Sequence, residues 1–217
     1  MRDDITNIAI EDYLTALMPP RSDLFMELER RAHDHGLPLI GPVQGQFLYL
    51  LAKSMGAREA LEIGTVTGYA AMWLLRAVVP AGGRLTAIER APERYKLALE
   101  YVTRAGYADR LAIHGGEWFS VLETLDGPFD LIFLDILRNF SDEHDAVKAL
   151  ELCVSRLRPG GVLIGDNVLC NGLVVEDDPA PTVRGIQEFN IAIMQHPQLE
   201  SVIIPLRDGV AICRKKD

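Results

Sequence analysis

The residues of this chain best suited to chemistry stand at the ends of short apolar runs. Ala60-Leu61-Glu62-Ile63 leads into Gly64-Thr65-Val66-Thr67-Gly68, and Tyr69 opens a mostly apolar segment. A strand, a glycine-punctuated turn and a helix start place backbone N–H groups and a helix N-terminus beside the strand end, which suits a nucleotide-like ligand. About 20 residues past the turn, Leu85-Thr86-Ala87-Ile88 ends in Glu89, where a carboxylate can accept hydrogen bonds from both hydroxyls of a ribose. Further on, the run 129–134 ends in Asp135, and Val162-Leu163-Ile164-Gly165 ends in Asp166-Asn167. Two carboxylates and an amide oxygen form a hard, all-oxygen set suited to Mg²⁺, with Mn²⁺ or Ca²⁺ as alternatives. Plainer readings exist for each. The glycines can simply make a crossover turn, Asp135 can cap the next helix, and Asp166-Asn167 can form a turn.

The glycine spacing narrows the ligand. A dinucleotide fingerprint reads G-x-G-x-x-G, so that backbone can approach a pyrophosphate. Here Gly64 and Gly68 are separated by three residues, and Val66 lies between them. Glu62 points negative charge at the turn, which repels a diphosphate and suits a ligand with a cationic or amine end. S-adenosylmethionine carries a sulfonium, an amino group and a ribose, and no phosphate.

These positions need a scaffold, and the pattern supplies one. Residues 5–35 read as two helices, with Tyr13, Leu14, Leu17 and Met18 at helical spacing, a stop at Pro19-Pro20, and Leu24, Phe25, Leu28 and Ala32 on the second. They are expected to pack as an appendage; roofing a pocket or forming a dimer contact is the bolder reading. Residues 36–42 form a loop, and a helix continues to Met55. Then strands (57–63, 85–88, 111–114, 129–134, 162–165) alternate with helices (69–78, 93–105, 142–156, 183–195). Arg158-Pro159-Gly160-Gly161 reads as a turn and 171–182 as a loop. Two final strands, 201–206 and 209–213, make a hairpin about Arg207-Asp208-Gly209. Alternation of this kind predicts an α/β, doubly wound, mostly parallel sheet with a C-terminal antiparallel hairpin. Glu62, Glu89, Glu117, Asp135, Asp166 and Asn167 all fall at the strand ends where such sheets bind ligands.

With 217 residues and 48% hydrophobic composition the chain can build a full core. Its net charge of −9 argues against nucleic acid as a partner. Cys153, Cys170 and Cys213 are odd in number and scattered, as in a reduced cytoplasmic protein. The first residues show no signal-peptide pattern, and no apolar run approaches the ~20 residues that span a bilayer.

In this order and spacing the motifs resemble the cation-dependent O-methyltransferases, the catechol and caffeoyl-CoA O-methyltransferase group, over about residues 36–215. The carrying segments are Gln44-Gly45-Gln46-Phe47-Leu48, 61–69, Ala87-Ile88-Glu89, 129–135, 158–161, Gly165-Asp166-Asn167-Val168-Leu169 and Pro205-Leu206-Arg207-Asp208-Gly209-Val210. The resemblance implies one class I, Rossmann-like methyltransferase domain over 1–217 with a seven-stranded sheet and an N-terminal helical appendage over 1–40. It implies S-adenosylmethionine held by Glu62, Gly64, Thr65, Gly68 and Tyr69 at its methionine end. Glu89 and Arg90 would meet the ribose side and Gly116, Glu117 and Trp118 the adenine, with Asp135 also facing the cofactor. Asp135, Asp166 and Asn167 match the metal ligands. A small hydroxyl acceptor and a homodimer are implied as well.

The family pattern is broken just after Asp135. Asp-x-x-Lys is usual there, followed by a Tyr; this chain has Arg138, and Ser141 at the Tyr position. The family's Lys is thought to help deprotonate the acceptor, and arginine cannot give up its proton near neutral pH. Arg138 is left to stabilise a developing oxyanion, together with Asp135 as the second expected catalytic residue. His144 is an alternative base or an ordinary surface histidine. The rival functions are a non-catalytic S-adenosylmethionine-binding protein and a nicotinamide-dependent oxidoreductase.

Overall fold

The computed structural model describes residues 5, 7–140, 142 and 144–217. Ser141 lies outside the described residues. The elements run α1 (Ile8–Leu17), α2 (Asp23–His35), α3 (Gly41–Ser54), β1 (Glu59–Ile63), α4 (Tyr69–Val78), β2 (Arg84–Glu89), α5 (Pro92–Arg104), β3 (Leu111–Gly115), α6 (Trp118–Thr124), β4 (Phe129–Leu134), α7 (Asp145–Arg156), β5 (Leu157–Asp166), α8 (Pro181–Gln195), β6 (Leu199–Ile204) and β7 (Val210–Lys215). Strand order is β3-β2-β1-β4-β5-β7-β6. This is the expected seven-stranded sheet: the pairs β1–β2, β2–β3 and β4–β5 are parallel, and β7 pairs antiparallel with β5 and β6. By compactness the chain divides into two units, one of Glu11–Thr124 and one that includes Leu125–Asp217.

In the first unit, α4 is buried almost all round, as its YAAMWLLRAV sequence requires. Phe25 of α2 packs 4.7 Å from Trp73 and 5.5 Å from Tyr69, centroid to centroid. The Tyr69 hydroxyl donates to Glu29 (2.7 Å), whose carboxylate also receives the Arg21 guanidinium (2.9 Å). Glu27 accepts from Tyr101 (3.0 Å) and Arg104 (2.6 Å) of α5. So α2 is integral to this unit's helical layer, more than the appendage expected. By contrast α1 buries none of its residues, so the packing expected of its Tyr13, Leu14 and Leu17 is not found; Ile8, Tyr13 and Leu17 are over 60% exposed.

In the second unit, Arg158-Pro159-Gly160-Gly161 is not a turn before a strand. It lies inside β5 as an irregularity, between the pairs Phe129–Leu157 and Leu131–Val162. Part of the expected loop 171–182 is a 3₁₀ turn, Cys170–Val175. The three cysteines are free and buried. Among the described residues no helix is long and apolar enough to cross a membrane.

Packing at α3 and α4 depends on a missing side chain. A Cβ on Gly45 would overlap the indole of the buried Trp73. Gly45→Ala is therefore expected to lower unfolding free energy by about 1–3 kcal/mol, the usual cost of overpacking. A denaturant midpoint equal to that of the parent chain would refute this contact.

Candidate active site

In the first unit, parallel register sets Ile63 of β1 opposite Ile88 of β2, one residue before Glu89. The turn between them closes on itself. Gly64 N–H (2.9 Å) and Thr65 N–H (3.4 Å) donate to the Ile88 carbonyl, and Gly68 N–H donates to the Thr65 carbonyl (2.9 Å). Val66 N–H donates to Oε2 of Glu89 (2.9 Å), and Tyr69 N–H to Oγ1 of Thr67 (3.3 Å). The free backbone donors expected from sequence are thus largely engaged within the turn, which makes it a poor cradle for a diphosphate. Val66 is held at φ 48. A β-branched residue there is strained, at a cost of order 1–3 kcal/mol. Gly68, at φ 80, lets the turn press on α5: a Cβ would stand 2.9 Å from the Cα of Ala98.

Glu62 is fully buried. Its Oε2 accepts from the Thr65 hydroxyl (2.8 Å), and its Oε1 is buried with no hydrogen-bond partner. Burial pushes its carboxyl up to about 8; the charge of Glu89 adds to the rise and the Thr65 hydrogen bond opposes it. A bare buried carboxylate oxygen is costly, and a donor from a ligand would complete it. An amino group fits.

Glu89 is 3% exposed, and both of its oxygens are engaged, Oε1 by Ala91 N–H (2.8 Å) and Oε2 by Val66. A carboxylate offers about four lone-pair sites, so capacity for two hydroxyl donors remains. Gly116 N–H donates to the Glu89 carbonyl (3.3 Å). The Arg90 guanidinium sits 4.3 Å from the Trp118 ring centroid and 4.0 Å from Glu117 Oε2. Glu89, Arg90, Gly116, Glu117 and Trp118 therefore meet at one place, with Arg90 over one face of the indole. Tyr69 does not join them by its side chain. It is 1% exposed, and its hydroxyl is turned toward Glu29 of α2.

In the second unit, Leu134 of β4 pairs with Gly165 of β5. Asp135 and Asp166 are the next residues on these parallel neighbours, whose backbones run about 4.8 Å apart. Asp166 is 3% exposed and Asp135 half-buried. Asn167 takes φ 61, and Cys170 and Asn171 also adopt left-handed conformations. This strained segment is tied to the hairpin turn: Val168 N–H donates to the Gly209 carbonyl (3.2 Å) and Leu169 N–H to the Asp208 carbonyl (2.9 Å). Two carboxylates and an amide at adjacent strand ends fit a hard divalent cation in donor chemistry. Among the described residues no group of three or more His, Cys, Asp or Glu side chains could hold a metal; the expected set contains only two.

Arg138 lies in the 3₁₀ turn Leu137–Asn139 with its side chain 43% exposed. Its Nη1 donates to Asp208 Oδ2 (3.4 Å), while Asp208 Oδ1 accepts from Asn171 N–H. In the sequence Asp208 reads only as part of the hairpin turn. His144 stands at the start of α7, 77% exposed and 3.4 Å from Glu188, a surface position.

Against known proteins, a family described as O-methyltransferase matches residues 21–216. A catechol O-methyltransferase of Niastella koreensis is 29% identical over 94% of this chain and 95% of its own length. A catechol O-methyltransferase of Mycobacterium tuberculosis is 36% identical over 74% of this chain and 71% of its own. The crystal structure of the O-methyltransferase from Bacillus cereus in complex with SAH superposes with a TM-score of 0.83 at 30% identity, covering 96% of this chain and 97% of that one.

The state of Glu62 is testable without any ligand. Its folded-state pKa lies above the unfolded value of 4.5. As pH rises from about 4.5 to about 8 the unfolded chain ionises first, so native stability falls across that window. Glu62→Gln removes the effect. Its stability advantage over the parent chain is expected to grow from pH 5 to pH 8, read by thermal melts, and a constant difference would show that Glu62 is not a buried acid.

Proposed function

The chain belongs to the O-methyltransferase family, and on that premise we propose that it moves a methyl group to a hydroxyl of a small, catechol-like acceptor with a divalent cation's help. Dependence on S-adenosylmethionine follows from its relatives and from the SAH-bound neighbour. The single observation that carries the reading in this chain is the bare, buried Oε1 of Glu62. The amino group of S-adenosylmethionine would satisfy it, and the two lone-pair sites left on Glu89 suit the ribose hydroxyls. Gly64, Thr65 and Gly68 would shape the methionine end, and Arg90, Gly116, Glu117 and Trp118 the adenine side. Bound S-adenosylmethionine supplies a sulfonium-activated methyl group, and transfer then needs alignment and exclusion of water more than acid–base chemistry.

Asp135, Asp166 and Asn167 would hold the cation, Mg²⁺ before Mn²⁺ or Ca²⁺. A cation there would polarise a chelated hydroxyl and lower its pKa. Arg138 keeps the positive charge of the family's Lys without its basicity and would stabilise the acceptor oxyanion. The exposed apolar residues of α1, Ile8, Ile10, Tyr13, Leu14 and Leu17, support a homodimer in which a second copy covers them. One methyltransferase domain in the cytoplasm completes the proposal; three buried free thiols agree with a reducing compartment.

The test is methyl transfer to a panel of catechols with Mg²⁺ and with EDTA. Turnover that falls at least tenfold in EDTA and in Asp166→Asn is expected. Turnover indifferent to both would remove the cation from the proposal and leave the methyltransferase. Tight SAH binding with no turnover on any acceptor would favour a non-catalytic binding protein.

A further inference from the structure

The N-terminal unit holds a cavity at the end of α4 that points away from the glycine turn. Arg76 follows Tyr69 by seven residues, two helical turns and about 10 Å farther along the axis. There α4, the start of α2 and the end of α5 border a cavity of about 660 Å³. That is the size of a small-molecule site. Part of its lining is apolar: Phe25 and Met72 are buried, and Leu24 and Tyr107 are half-buried. Three guanidiniums, those of Arg21, Arg76 and Arg104, stand in its wall, and among the described residues no carboxylate does. Asp23, close by in sequence, is exposed and is not part of the wall.

Two of the cations are held by carboxylates from outside the wall. Arg21 donates from Nε and Nη2 to Glu29 (2.9 and 3.0 Å), and Arg104 from Nη1 and Nη2 to Glu27 (2.6 Å each). Glu100, 3.5 Å from Arg104, is shared with Arg31 (3.4 Å). Because a guanidinium carries five N–H donors, these pairs fix Arg21 and Arg104 and still leave donors over. Arg76 is held differently. It lies over the rings of Tyr49 (4.8 Å to the centroid) and Trp73 (5.5 Å), which position a cation without neutralising it. Lys53, 5.2 Å from the same Tyr49 ring, adds a further positive charge. In a chain of net charge −9 this is a local excess of the opposite sign, set beside apolar surface.

We propose that this cavity binds a second small ligand, an organic monocarboxylate with an apolar body, separate from the methyl donor and its acceptor. A carboxylate matches the fork of N–H donors on Arg76, with help from the donors left on Arg21 and Arg104. The apolar body covers Leu24, Phe25 and Met72. A single charge suits the site because Glu27 and Glu29 already meet two of the three guanidiniums, and a polyanion would be repelled by them. A neutral ligand of the same shape would cover the apolar lining and leave the guanidinium of Arg76 without its carboxylate.

The probes are 2-naphthoate and its neutral counterpart 2-naphthamide, titrated into the full chain by calorimetry. One naphthoate per chain is expected, with the amide bound about tenfold or more weaker, the size of one charge-assisted hydrogen bond. Arg76→Gln should weaken naphthoate about tenfold and bring it level with the amide. Leu24→Glu, at a half-buried position that tolerates a polar side chain, puts a carboxylate into the wall and should abolish naphthoate binding with the thermal melt kept cooperative. SAH at saturation should not displace the probe, and Asp166→Asn should leave its affinity unchanged. Equal affinity for acid and amide, equal affinity in Arg76→Gln, or no saturable binding overturns the proposal. So does loss of the probe to SAH or in Asp166→Asn, either of which would place it in the candidate active site.

Discussion

A carboxyl group shut away from water with one oxygen unmet is the constraint on which the N-terminal unit turns. Glu62 lies one residue from the end of β1, between apolar Leu61 and Ile63, and among the described residues the one side-chain hydrogen bond to its carboxyl comes from the Thr65 hydroxyl. An apolar residue there would avoid the cost of burial. The surrounding turn largely meets its own needs: the N–H groups of Gly64, Thr65, Val66, Gly68 and Tyr69 go to Ile88, Glu89, Thr65 and Thr67. The glycine turn therefore contributes shape, and the unmet demand for a donor sits on Glu62. That distribution separates this site from a dinucleotide cradle, in which the backbone N–H groups themselves hold a pyrophosphate.

Register does the corresponding work in the C-terminal unit. One parallel pairing, Leu134 with Gly165, makes Asp135 and Asp166 next-in-line neighbours. The hairpin turn then grips the segment after Asp166 through the carbonyls of Asp208 and Gly209. Left-handed Asn167, Cys170 and Asn171 are strained positions that this grip over-determines, as is common where side chains must be aimed. Arg138 is drawn into the same corner by Asp208.

Much of this was legible in the chain itself. Apolar runs of four to seven residues ending in Glu or Asp marked β1, β2, β4 and β5, and put Glu62 and Glu89 at one pair of strand ends and Asp135 and Asp166 at another. The misses have physical causes. The seven residues of α6 are too few to show a helical period. Gly160-Gly161 signals a turn whether a strand stops or merely bulges, so the start of β5 was misplaced. The partner of the Tyr69 hydroxyl, Glu29, lies 40 positions earlier, where no local pattern announces it. The Arg138–Asp208 pair spans 70 positions, and no local pattern announces it. Apolar spacing made α1 look like a packed helix; periodicity reports a face and not what covers it.

The most direct measurement is calorimetric titration of SAH at pH 7 in two buffers of different ionisation enthalpy, on the parent chain and on Glu62→Gln. Pairing of the ligand's amino group with Glu62 should release about one proton per site from the parent chain and none from the variant, whose affinity should fall about tenfold or more. Equal affinity in the two proteins, with no proton released from either, would contradict the placement of the methyl donor against Glu62.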